Sequence, residues 1–312
     1  VTRPNESVAS KPLSLIGAFS LMLVAAFLWG LSFPLIKGMA DAFPPTTLAS
    51  LRGGISCLAL LAWFLVLRES VFPQSGRELL DWVILGAVNG WIANLLVNSA
   101  MQTLPGGQAA LIQSCGPLIT AVLASVLFAD ERLTVRRLVG IAIGFAGVAL
   151  LIGPKLLGTG GTPLAAIAML GVAISYASGN IYVRLLPVAD PKRLALGQQV
   201  MSGLFATLIA IAWAGPASYQ AFAEHPVRVL LLGIVSTAAP IVLYMIAIRA
   251  LGPTRASLTG YLVPAWAVAL SAILMGESVG LREALAGAII LAGVYIVTAR
   301  REPVISSRSS HS

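Results

Sequence analysis

Trp91, Asn94, Asn98 and Gln102 recur at i, i+3, i+7 and i+11, the spacing that lays side chains along one face of a helix. Tyr176 and Asn180 stand one turn apart in the same way, with Ser175 and Ser178 beside them. Trp29, Tyr244, Tyr261 and Trp266 add rings that are apolar in body and polar at one edge. Groups of these kinds suit an uncharged or zwitterionic organic molecule: rings cover its apolar part and amides hold its polar ends. Bond-breaking chemistry needs other residues. The chain has no Ser/His/Asp, Cys/His or His-Glu-x-x-His arrangement, and no Gly-x-x-x-x-Gly-Lys-Ser/Thr loop for a nucleotide. We therefore expect no catalytic residue and no cofactor, and candidate substrate-binding positions at Trp29, Trp91, Asn94, Asn98, Tyr176, Asn180, Tyr244 and Tyr261.

The same amides have a plainer role as interhelical glue, since Asn and Ser commonly bond across membrane helices. For any one Asn the two roles stand even; the complete stripe favours a cavity. Trp63, Trp82 and Trp213 read as residues of an interfacial belt. Arg52 lies inside an apolar span with no embedded acid as partner. It could snorkel to the interface or hold a substrate carboxylate, and snorkelling or structural bonding is the stronger expectation. Lys37 and Arg184 read as anchors of helix ends.

The elements that must position these groups are membrane helices. Of 312 residues, 58% are hydrophobic and 10% charged, where a soluble domain carries about 25% charged residues. Hydrocarbon cannot solvate backbone, so the apolar runs are helical. Ten runs approach the ~20 residues of a span: 14–36, 46–67, 81–103, 107–128, 135–152, 163–183, 194–214, 228–249, 255–275 and 281–299. The twelve Asp and Glu residues and both His residues fall at span ends, in loops or in the tails. That leaves no intramembrane proton relay, no metal site and no pump built on a buried Glu. The substrate's own gradient is then the simplest drive. Cys57 and Cys115 read as small packing residues. No signal pattern is expected in the polar stretch 1–13, and the Ser-rich end reads as disordered.

A shift of 147 residues, without a gap, brings the two halves into register. Pro117 falls on Pro264, Gly140 on Gly287, Gly86 on Gly233, Trp29 on Tyr176 and Asp130 on Glu277. Between 104–147 and 251–294, nine of 44 positions are identical. Five spans per repeat invert the second half, an arrangement that puts a substrate site at the repeat interface near the midplane. The fold class is therefore an all-α membrane protein of ten helices, with repeats at 14–152 and 163–299 and tails at 1–13 and 300–312. Fifteen Lys and Arg residues lie on the side of the N-terminus against four on the other, so both termini are expected in the cytoplasm. That bias accounts for most of the net charge of +8 without a nucleic-acid partner. The expected partners are a small-molecule substrate and the lipid bilayer, with no obligate protein partner. Pro117 and Pro264 read as paired kinks suited to gating, and Gly140, Gly144, Gly147, Gly287 and Gly293 as points of close helix crossing.

The run Leu251–Leu258 (Leu-Gly-Pro-Thr-Arg-Ala-Ser-Leu), followed by Pro264, Glu277, Gly287 and Gly293, resembles the closing half of an EamA domain of the drug/metabolite transporter superfamily. Ala109, Pro117, Asp130, Glu131, Gly140 and Gly147 repeat the pattern in the first half. The resemblance spans about 14–299. It implies ten helices around a central cavity and export of metabolites across the bacterial inner membrane by alternating access. It also implies structural or gating roles for Pro117, Pro264, Gly140 and Gly287. Within the family the chain looks most similar to exporters of aromatic amino acids. Carriers of sugar phosphates or nucleotide sugars are the alternative, but would want two or more cavity cations where only Arg52 is available. A small-drug exporter is a further alternative.

The topology has a direct test. Single cysteines placed at Gly160 and Ser306 should react with an impermeant thiol reagent from outside and from inside the cell, respectively. Labelling of both from one side, or the reverse pattern, would remove the ten-span topology with cytoplasmic termini.

Overall fold

The computed structural model describes residues 14–129, 134–156, 162–186, 190–251 and 259–298, with the side chains of 153–156, 162, 248–251, 260 and 261 outside the described set. The expected tails and Asp130 also lie outside it. Ten helical segments follow in order: α1 (Leu15–Lys37), α2 (Pro45–Val66), α3 (Gly76–Ala100), α4 (Gly106–Leu127) and α5 (Val135–Leu156). The second set is α6 (Thr162–Leu185), α7 (Pro191–Trp213), α8 (in three pieces, Pro226–Leu230, Leu231–Ala238 and Ala239–Leu251), α9 (Thr259–Met275) and α10 (Leu281–Thr298). No strand occurs among the described residues. The fold is all-helical, two repeats of five. Nine of the described helices are long and apolar enough to cross a membrane; the apolar part of α9, Leu262–Met275, is shorter.

Local sequence explains the helix starts. Ser14, Ser75 and Asp190 accept backbone N–H bonds from Gly17, Glu78 and Lys192 at 3.0–3.1 Å, satisfying first-turn donors. Pro45, Pro191 and Pro226 open α2, α7 and α8, where their missing N–H costs nothing. α3 begins at Gly76, ahead of the sequence expectation of 81, because Ser75 caps it. Asp81 therefore lies inside the helix, buried, rather than at its edge.

Packing follows the repeat. α2 crosses α7 and α5 crosses α10, each a pair of equivalent helices. α1 lies on α8 and α9, while its counterpart α6 lies on α3 and α4; α3 packs on α7 as α8 packs on α2. Apolar helices gain nothing from association by leaving lipid, so contact must come from close approach. Glycine supplies it. A Cβ on Gly203 would stand 3.0 Å from the Gly53 carbonyl oxygen, and one on Gly293 would stand 2.4 Å from the Gly144 nitrogen. Gly86 meets Met201, and its equivalent Gly233 meets Ile55. Gly140 and Gly147 also face α10, whereas Gly287 faces Leu111 of α4.

Two departures from ideal helix recur at the same place in both repeats. α3 winds into a π segment at Ala87–Trp91 and α8 at Leu231–Ala238, the third helix in each case. Gly90 holds a non-helical conformation within the first. The prolines are less symmetric. Pro117 opens the second piece of a broken α4 (Gly106–Gln113, then Gly116–Leu127), while Pro264 sits inside a continuous α9. Trp82 departs from the belt expectation: it is 2% exposed, and its ring fills the space over Gly197 of α7. Trp213, by contrast, is almost fully exposed.

Gly203→Ala and Gly54→Ala form a matched pair. The first presses a methyl on helix backbone that cannot yield and should cost 1–3 kcal/mol, whereas a Cβ on Gly54 meets nothing within 4 Å. Thermal unfolding in detergent should be lowered for Gly203→Ala and unchanged or raised for Gly54→Ala. Equal midpoints would show that the α2–α7 crossing is not backbone-limited.

Candidate functional site

At the α2–α7 crossing, where equivalent helices of the two repeats meet, Gly53 lies against Gly203. Arg52 is one residue away and 8% exposed. Its Nε donates to Thr237 Oγ1 of α8 at 3.0 Å, and Thr237 Oγ1 donates to the Leu232 carbonyl at 2.7 Å. That i−5 carbonyl is within reach because Thr237 lies on the π segment of α8. Tyr176 of α6 lies within the electrostatic reach of Arg52. Trp29 of α1 meets Tyr244 of α8 with ring centroids 5.5 Å apart, and Phe27 meets Trp266 of α9 edge-on at 5.2 Å. Trp29, Tyr176 and Tyr244 are half-buried, and Asn180 is exposed.

The α3 stripe is placed differently. Trp91 shares a cavity of about 10 Å³ with Thr46, Ala49, Leu95, Ala206 and Ile209, room for one water at most. Asn94 Nδ2 reaches Ser202 Oγ of α7 at 3.5 Å, and Asn98 Nδ2 reaches the Pro45 carbonyl of α2 at 3.4 Å. The stripe thus faces α2 and α7, while Trp29, Tyr176 and Tyr244 belong to α1, α6 and α8. Asn98 Oδ1 and Gln102 Nε2 have no hydrogen-bond partner though buried. The Tyr261 side chain lies outside the described residues.

At the end of the bundle where α1 finishes, the two repeats are locked together. α9 stops at Met275, Gly276 turns the chain with φ of 65°, and Glu277 folds back onto α4. Its carboxylate accepts the Gly106 N–H at 2.6 Å and the Gly107 N–H at 2.9 Å. These are orphan donors of a helix N-terminus, where the dipole also favours an anion. Glycine at 106 admits Ser271, whose Oγ would be 2.7 Å from a Cβ there. Lys37 Nζ donates to the Met101 carbonyl at 3.0 Å, closing the C-terminus of α3. Ser50 bonds Thr207 at 2.8 Å and Tyr219 at 2.7 Å, and Thr47 donates to Ser218 at 2.7 Å.

The opposite end carries ion pairs instead. Arg193 grips Glu78 through Nε at 2.7 Å and also donates to the Ser70 and Phe72 carbonyls. Lys192 pairs with Glu69, and Asp81 takes both Tyr182 Oη at 2.7 Å and Arg77 Nε at 3.2 Å. Arg184 stacks over the Phe128 ring at 4.2 Å. No cluster of His, Cys, Asp and Glu suited to a metal occurs among the described residues. The repeat had aligned Glu277 with Asp130, but nothing in the sequence located the helix N-terminus that the carboxylate serves. Thr237 carried no signal at all, because a lone Thr in a span is ordinary.

Removing the Glu277 carboxylate should free the α4 amides. With two charge-assisted bonds lost, each worth about 1.5–3 kcal/mol, hydrogen exchange of Gly106 and Gly107 in Glu277→Ala should rise by at least roughly tenfold. Glu277→Gln, which keeps one acceptor, should fall between. Unchanged exchange in both would mean that the lock is made elsewhere.

A solved crystal structure superposes on this chain with a TM-score of 0.59 at 21% identity, covering 91% of this chain and 97% of its own, a likeness of fold. The uncharacterized inner membrane transporter YedA of Escherichia coli K12 is 30% identical over 91% of both chains. A probable amino-acid metabolite efflux pump of Salmonella typhimurium is 28% identical over 88% of this chain and 93% of its own. The sequence profile of the EamA-like transporter family matches residues 16–153 and 163–299, one repeat each. With both repeats matched in full sequence order, the chain belongs to the EamA-like transporter family.

Proposed function

We propose that this transporter exports neutral and aromatic amino acids across the bacterial inner membrane, by alternating access through a central site between the repeats. The observation that carries the reading is the set of half-buried rings Trp29, Tyr244 and Tyr176, drawn from helices of both repeats. Rings so placed take an apolar or aromatic side chain. Arg52 and Thr237 add polar groups beside them. The similarity to a probable amino-acid metabolite efflux pump supports the substrate class, and the similarity to an inner membrane transporter supports the location. The sequence resemblance to the aromatic amino-acid exporter YddG points the same way. With both termini cytoplasmic, the Glu277 lock lies on the periplasmic side and the Arg193–Glu78 cluster on the cytoplasmic side. Pro117, Pro264, Gly140 and Gly287 then serve as the bends and crossings about which the repeats move. Asn94, Asn98 and Trp91 line the α2–α7 wall and support the site from behind.

Purified protein in proteoliposomes should take up labelled Trp, Met and Thr above the level of empty liposomes, with unlabelled substrate suppressing the signal. Trp29→Ala should raise the KM for Trp more than that for Thr, because the ring contacts only the larger side chain. Transport of sugar phosphates alone would reject the reading.

A further inference from the structure

We propose that the Arg52 guanidinium is the carboxylate-binding group of the transport site, so that the substrate class is defined by a carboxylate beside an apolar or aromatic body. The proposal rests on the amino-acid reading above and makes it more specific.

The direction of the side chain carries the argument. A Cβ on Gly233 would stand 3.5 Å from the Arg52 carbonyl oxygen, so the Arg52 backbone lies level with Gly233 on α8. Arg52 Nε, however, bonds Thr237, one helical turn further from the Pro226 end. The start of α8 shares its membrane face with the start of α2, as the Arg228 bond to the Gly38 carbonyl just after α1 shows. The side chain therefore runs away from its nearer interface and toward the centre. A snorkelling arginine would do the reverse. By helical rise, Arg52 Cα stands roughly 10 Å below the start of α2, and Thr237 roughly 16 Å below the start of α8.

The chemistry at that depth is unfinished. A charge buried in a protein needs a partner, yet no ion pair involves Arg52 among the described residues. Its one hydrogen bond engages Nε and leaves both terminal nitrogens without a bond there. The tether at Nε fixes the guanidinium plane and presents the Nη pair as a fork, the geometry that takes a carboxylate bidentately. Thr237 is a neutral hydroxyl that accepts from Nε and donates to the Leu232 carbonyl, so it does not neutralise the guanidinium. The repeat supplies no second cation: Gln199 stands at the position equivalent to Arg52 and is 3% exposed. One fork suits one carboxylate, whereas a phosphate dianion would want more positive charge. The Trp29–Tyr244 pair lies on α1 and α8, the latter being the helix that holds the fork, and Tyr176 of α6 is within electrostatic reach of it. The apolar part of a molecule whose carboxylate is held at Arg52 is assigned to these rings.

Three ligands sharing one ring separate the groups: phenylalanine, 3-phenylpropionate without the amine, and 2-phenylethylamine without the carboxylate. Affinities are measured by calorimetry on the purified full-length protein, with gel filtration and thermal unfolding confirming that each variant is folded. Wild-type protein should bind phenylalanine and 3-phenylpropionate, and Arg52→Gln should weaken both by about tenfold to a hundredfold, the scale of a lost charged hydrogen bond. Arg52→Lys, which keeps charge without the fork, and Thr237→Val, which keeps the charge untethered, should each lose less. The residual affinity for 2-phenylethylamine should not change in any of them. An equal loss for all three ligands would make Arg52 a structural residue and overturn the proposal, as would a wild-type protein that binds no carboxylate. Phenylalanine bound equally by Arg52→Gln and wild type would remove the role of Arg52 and leave the amino-acid reading intact. Arg52-dependent binding of 3-phenylpropionate without any binding of phenylalanine would do the opposite.

Discussion

Hydrocarbon gives two apolar helices no reason to associate, since lipid tails are as apolar as leucine. Everything in this bundle depends on helices approaching closely enough for contact itself to hold them. The crossings of α2 with α7 and of α5 with α10 are made where backbone meets backbone, at Gly53 with Gly203 and Gly144 with Gly293. Each joins equivalent helices of the two repeats, so the pseudo-symmetry and the packing are the same fact. The glycine pair Gly86 and Gly233 extends it, seating the third helix of each repeat on the second helix of the other. The π segments in those same helices release carbonyls from the regular ladder, and Leu232 finds its partner in Thr237.

The polar residues break the symmetry that the backbone keeps. Arg52 corresponds to Gln199, Thr237 to Gly90, Trp29 to Tyr176 and Tyr244 to Val97. A site built on such pairs cannot be two equal half-sites. Arg52 and Thr237 come one from each repeat, as do Trp29 and Tyr244. Duplicated helices supply the frame, and in the site proposed above divergence at a few frame positions would supply the chemistry.

Sequence made the frame legible for physical reasons. Span length is fixed by bilayer thickness, so Leu15–Lys37 and Pro191–Trp213 stand out by composition alone. The 147-residue register exposed Gly86 with Gly233 and Trp29 with Tyr176 because each pair occupies one position in the fold. Azimuth was not legible. An apolar helix in lipid has little amphipathic signal to show which face meets protein, so the Trp91–Asn94–Asn98 stripe could be recognised as a stripe but not aimed. It faces α2 and α7. Trp82 failed for a related reason: a Trp near a span end suits the interface, and only the glycine opposite it, Gly197, admits it to the interior. Asp81 was misplaced by the helix start, which Ser75 sets by capping rather than by hydropathy. The partner of Glu277 was hidden because a helix N-terminus presents bare backbone, and backbone amides leave no residue-type signature.

A carrier that alternates access must keep some contacts permanently and give others up in each cycle, and the two kinds differ here in chemistry. The glycine crossings are dry, tight and backbone-limited; separating them would lose dispersion contacts with nothing to replace them. The α4–α9 contact is of another sort. There a carboxylate serves two amide donors, and water can take over both sides of each bond when the contact opens. The same holds for the Ser50, Thr207 and Tyr219 hydroxyls at that end and for the ion pairs of Arg193 and Lys192 at the other. Contacts whose partners water can satisfy on opening are easier to exchange than dry backbone contacts, so under the alternating access proposed above the ends of the bundle are where it would open and the glycine crossings where it would hold.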